Sequence, residues 1–130
     1  MNELEPICQL LDARRDVRLA YVFGSVAGGR ARSTSDVDVA VLFDGATSPA
    51  TLDRLTEDLE EAAGRPVDLV DLAQAPPLLA HQVVSTGSCL ICRRPEERAA
   101  FETRTIMRHL DTAHLRKIQH TYLHERTRAS

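Results

Sequence analysis

No stretch of this 130-residue sequence comes near the roughly 18 consecutive apolar residues that a membrane-spanning helix requires. The opening residues are acidic and poor in hydrophobic side chains, which does not fit a secretory signal. Cysteine is scarce: three residues, an odd number, which points to reduced thiols in a cytoplasm rather than a disulfide framework. Excess positive charge is also missing. A formal net charge of −3 argues against a general nucleic-acid binder, although basic residues outnumber acidic ones from Arg93 onward. Repeats and low-complexity segments are absent, and the length suits one domain without a second catalytic lobe. What remains, 43% apolar and 27% charged residues, is the composition of an ordinary soluble globule.

The order of apolar patterns is that of an α/β chain. Leu4, Ile7, Leu10 and Leu11 have helical spacing and predict a helix over residues 2–15. Val17–Phe23 is β-branched and aromatic, a strand that stops at Gly24. Residues 25–32 are small and glycine-containing, with room for a short helical turn. A second strand covers Asp36–Phe43. Ser48 and Pro49 form a helix start, and Gly64 a helix end, around Leu52, Leu55, Leu59 and Ala62. A third strand follows at Val67–Leu72, then a helix from Pro76-Pro77 to about Thr86, and a short strand at Ser88–Cys92. Pro95-Glu96-Glu97 opens a long last helix carrying Phe101, Ile106, Leu110, Leu115, Ile118 and Tyr122. The strands imply a sheet covered mostly on one face. Cys89 and Cys92 have C-x-x-C spacing, but no second cysteine pair completes a zinc site, so they read as small apolar strand residues.

Chemistry is concentrated between Gly24 and Asp68. Asp36 and Asp38 sit two apart at the head of the apolar run Val37, Val39, Val41, Phe43. Residues two apart on a strand share one face, about 7 Å apart along the chain. Two such carboxylates repel, and one is pushed up unless a cation joins them. Mg²⁺ accepts such a pair when substrate phosphates supply further ligands. A strand, then Gly24-Ser25, then a short helix can hold phosphate, because glycine allows close approach while helix-start amides and the Ser25 hydroxyl donate to an anion. Asp68, on the next strand, joins Asp36 and Asp38 if the strands are neighbours. Three carboxylates beside a phosphate cradle describe a two-metal phosphoryl- or nucleotidyl-transfer site.

The segment from Phe23 to Asp38, with Gly24-Ser25, Arg30 and Ser35-Asp36-x-Asp38, resembles the defining segment of the minimal nucleotidyltransferases of the DNA polymerase β superfamily. Arg65–Asp71 is similar to that family's third-carboxylate strand, which carries over to Asp68. Asp71, three residues on, is the competing third carboxylate. The resemblance implies a single domain over 1–130 with the polymerase β-like fold: a small mixed sheet covered by helices, and a long C-terminal helix. It implies Asp36, Asp38 and Asp68 as catalytic residues and metal ligands, and Gly24, Ser25, Arg30 and Ser35 as nucleotide contacts, with Mg²⁺ and ATP as cofactors. Within the superfamily it points to the antitoxins of HEPN–nucleotidyltransferase pairs. These are implied to move AMP from ATP onto a tyrosine of a HEPN ribonuclease toxin, silencing it in a hetero-oligomer, without membrane or direct nucleic-acid binding. The alternatives are an antitoxin that only masks its toxin and a nucleotidyltransferase acting on a small molecule. Arg104 to His109 spells the R-x4-H of HEPN ribonucleases, but that fold is all-helical, which the strands exclude. His109, His114, His120 and His124 read as a solvated or partner-facing surface of the last helix.

Overall fold

The computed structural model describes residues 4–24 and 36–129, with side chains through residue 112. Helix α1 (Glu5–Asp12) is followed by β1 (Val17–Phe23), β2 (Val37–Phe43), α2 (Pro49–Ala63), β3 (Val67–Asp71), α3 (Pro77–Thr86), β4 (Ser88–Cys92) and α4 (Pro95–Ala129). The predicted helical turn after Gly24 lies outside the described residues. Among the described residues no helix is long and apolar enough to cross a membrane.

The four strands form one mixed sheet in the order β3-β2-β1-β4. β1 runs antiparallel to both β2 and β4, whereas β2 and β3 are parallel, joined by α2. Helix α2 begins where the backbone chemistry dictates. The Ser48 hydroxyl oxygen accepts from the Thr51 amide at 3.2 Å, and Pro49 occupies the first turn. It ends at Gly64, whose left-handed φ of 70° turns the chain toward β3.

Both faces of the sheet are covered, not mainly one. On one face, Ile7 and Leu11 of α1 and Leu55 and Leu59 of α2 pack with Val37, Val39, Val41 and Phe43. On the other, Val83 of α3 and Phe101 of α4 pack with Leu19, Tyr21, Phe23, Ala40 and Leu42. The physical reason is visible in β2: its near-continuous apolar run, Val39-Ala40-Val41-Leu42-Phe43, belongs to a strand buried on both sides. Tyr21, in the second core, donates its hydroxyl to Glu102 Oε1 on α4 at 2.9 Å, and Arg98 donates to the same oxygen. Burial and this carboxylate push the Tyr21 hydroxyl well above its usual range, so it stays protonated and keeps β1 bound to α4.

Candidate active site

The parallel pairing of β2 with β3 decides which carboxylates meet. Its register sets Asp38 beside Asp68 and Val41 beside Asp71. Each aspartate of the first pair is the second residue of its strand, so residues far apart in sequence meet at one end of the sheet. Asp38 shares strand parity with Ala40 and Leu42, and therefore looks toward the α3/α4 side. Asp36 is exposed just before β2. Asp71 alternates with Asp68 by an odd step, and its Oδ1 accepts from the Ala73 amide at 3.1 Å. It closes the turn that follows β3.

On its other side Asp38 pairs with Phe23, the last residue of β1. The next residue, Gly24, has φ +75°, a left-handed conformation that side-chain-bearing residues rarely adopt. A Cβ at Gly24 would also overlap the Asp38 carboxylate. Glycine is thus required twice over: for the turn and for space against the acid. Gly24, Asp38 and Asp68 lie at the same end of three neighbouring strands, β1, β2 and β3.

Electrostatics mark the same place. Burial raises the Asp38 carboxyl above its ordinary range, and the negative charges of Asp68 and then Asp36 raise it further. A cation or a positively polarised group at this point relieves that strain. Among the described residues no three His, Cys, Asp or Glu side chains are gathered closely enough to hold a metal ion by themselves. The donor set suits a hard cation that completes its shell with phosphate oxygens and water, as Mg²⁺ does. Gly24, lacking a Cβ, lets the end of β1 lie directly against the Asp38 carboxylate.

The remaining expected contacts, Ser25, Arg30 and Ser35, lie outside the described residues. The histidines divide. His109 does not simply face solvent: its ring stacks on His81 of α3, with centroids 3.9 Å apart and planes 13° apart, as packing between α3 and α4. The side chains of His114, His120 and His124 are outside the described residues. Cys8, Cys89 and Cys92 are free thiols, and Cys89 packs against the second core as a strand residue. Glu60 escaped the sequence reading. Its Oε2 accepts from the Val67 amide at 3.1 Å, one residue before Asp68. A surface-helix glutamate carries no signal of such a contact until the fold brings it round.

This fold and cluster of carboxylates define a nucleotidyltransferase. The chain belongs to the family described as Polymerase beta, Nucleotidyltransferase, whose model matches residues 5–96. It is 34% identical over 111 residues to the protein adenylyltransferase MntA of Shewanella oneidensis, covering 85% of this chain and 80% of that protein. A putative protein adenylyltransferase of Methanocaldococcus jannaschii is 35% identical over 85 residues, 65% of this chain and 91% of its own. Among solved structures, a chain of a toxin–antitoxin with AMP-PNP superposes with a TM-score of 0.78 at 30% identity, covering 98% of this chain and 99% of that one. A chain from the complex of the tri-AMPylated Shewanella oneidensis HEPN toxin with its MNT antitoxin superposes with a TM-score of 0.70 at 28% identity, covering 96% and 95%.

Proposed function

We propose that this protein is an antitoxin-type adenylyltransferase that moves AMP from ATP to a tyrosine hydroxyl of a HEPN ribonuclease toxin and so silences it. The reading rests on one observation above all: Asp38 and Asp68 stand in register on neighbouring strands, with Asp38 against the glycine turn at the end of β1. The likeness to MntA and to chains from complexes with an AMPylated HEPN toxin supports the choice of acceptor.

Asp36 and Asp38, with Asp68, would hold Mg²⁺ together with the nucleotide's phosphates, and the cation would supply charge neutralisation for those phosphates and for the leaving group. The chain's own residues do the rest. Gly24 lets the triphosphate approach the backbone, and Ser25, Arg30 and Ser35 are assigned to its phosphates. The acceptor tyrosine oxygen attacks the α-phosphorus, a new P–O bond forms, and the bond to the β-phosphate breaks to release pyrophosphate. Asp68 takes the phenolic proton as the oxygen bonds to phosphorus. The three free thiols and the ATP substrate fit a reducing, cytoplasmic setting.

The test is intact-mass spectrometry of a HEPN-type ribonuclease toxin, after incubation with ATP, Mg²⁺ and either wild-type protein or Asp36→Ala/Asp38→Ala. An AMP-sized gain with wild type alone is expected. Full neutralisation by the double variant, with no mass change in either case, would replace the enzyme with a mask.

A further inference from the structure

The connection from α2 to β3 is short, and one residue closes it at both ends. The backbone carbonyl of Glu60 accepts from the Gly64 amide at 2.9 Å, and its side-chain Oε2 accepts from the Val67 amide at 3.1 Å. Between these two bonds the chain makes its left-handed turn at Gly64 and passes Pro66, which has no amide hydrogen to give. On the inner side, the Val37 amide donates to the Pro66 carbonyl at 3.0 Å and starts the parallel ladder. Among the described residues β3 is an edge strand, so its first outward amide has no neighbouring strand there to accept from it. Glu60 supplies that acceptor. Its helix cannot drift to follow a loose strand, because the preceding residue, Leu59, is fully buried in the core.

The geometry points to Glu60 as a positioning residue that fixes the height of Asp68 alongside Asp38, and so governs AMP transfer without touching nucleotide or acceptor. This rests on the adenylyltransferase reading, in which Asp68 takes the acceptor proton. A strand slides along its own axis by about 3.3 Å per residue. A fraction of that motion at Val67 moves the Asp68 carboxylate out of line with Asp38, and misplacement of about 1 Å is enough to cost on the order of 100-fold in rate. The bond needs an acceptor at the reach of a glutamate, not a negative charge, so glutamine can replace it.

Glu60→Gln, Glu60→Ala and Glu60→Asp of the full chain test this, the last keeping the charge but falling short of the amide. Amide exchange is measured first, with no acceptor or metal present. Val67 is expected to be protected in wild type and Glu60→Gln, and to exchange at least about 10-fold faster in the other two. AMP transfer is then followed with ATP and the HEPN-type partner. Glu60→Ala and Glu60→Asp are expected to lose about 10-fold or more in kcat with KM for ATP within about twofold, while Glu60→Gln stays near wild type. Wild-type kcat in Glu60→Asp, or equal loss in Glu60→Gln, overturns the assignment. Asp68→Asn separates the two layers of the argument. If it transfers AMP like wild type while Val67 exchange still follows the expected order, the role given to Asp68 has failed and Glu60 only ties the loop.

Discussion

Asp38 lies between Asp68 on β3 and Phe23 on β1, so its carboxylate has a like charge on one side and an aromatic ring's strand on the other. Its proton is held more tightly in the folded chain than in the unfolded one, through burial first and then Asp68 and Asp36. An acid raised in this way costs stability as pH climbs from the unfolded to the folded value, and the cost persists to neutral pH. Asp38→Asn should therefore raise Tm by a few degrees at pH 7 in metal-free buffer, and change it little below about pH 3, where the unfolded carboxyl is itself largely protonated. The same substitution should abolish AMP transfer. Thermal melts across pH, with the transfer assay alongside, check both halves.

Asp68→Asn and Asp71→Asn should differ sharply. The first removes the proposed base beside Asp38 and should lower transfer by at least about 100-fold while ATP binding and the fold persist. The second keeps an oxygen to accept from the Ala73 amide and should be nearly silent. Transfer rates of the two variants, measured with melting curves, decide the matter. Loss in Asp71→Asn alone would reverse the assignment.

Gly24 and Gly64 form a controlled comparison. Both have left-handed φ values, +75° and +70°, but a side chain at Gly64 meets nothing within 4 Å, whereas one at Gly24 overlaps Asp38. Alanine at either position should cost roughly 1–2 kcal/mol of stability through the backbone. Only Gly24→Ala should also weaken MgATP binding and transfer. Calorimetry on both variants, corrected for folded fraction, would show the difference, and equal binding would reduce Gly24 to a turn former.

ATP affinity should depend on the divalent cation. The carboxylates gather negative charge at this end of the sheet, so ATP without a cation meets repulsion, and a cation without ATP finds too few ligands. Titration of ATP with and without Mg²⁺ is expected to differ by at least about 10-fold. Equal affinities would exclude a cation shared between Asp36, Asp38 and phosphate.

Much of this architecture was legible from local signals. Ser48-Pro49 and Gly64 bound α2 as expected, and the strand starting at Val17 ends at Phe23 against the glycine. The first helix is shorter than its periodicity predicts, Glu5–Asp12: the chain turns after it, with the Arg14 amide donating back to the Leu11 carbonyl at 3.2 Å. Strand spacing suggests the Asp36/Asp38 pair, although Asp36 falls one residue before β2 and is tied to Asp38 through its charge. Asp68 is different: its place beside Asp38 depends on a parallel register that no short segment encodes. The same holds for the His81–His109 stack and for Glu60 at Val67, contacts made when separate elements pack. Two-sided burial was written in the unbroken apolar run of β2, a signal that alternation-based reading passes over.

At the opposite end of β1 from Gly24, Arg93 gathers the carbonyls of Leu11, Asp12, Arg14 and Val17 and pairs with Asp12 at 2.7 Å. β1 is thus a cantilever: clamped where it enters the sheet, loaded with chemistry at its tip. Substitutions at the tip can therefore disable the chemistry without loosening the strand's entry into the sheet, so one strand keeps activity and anchorage at opposite ends.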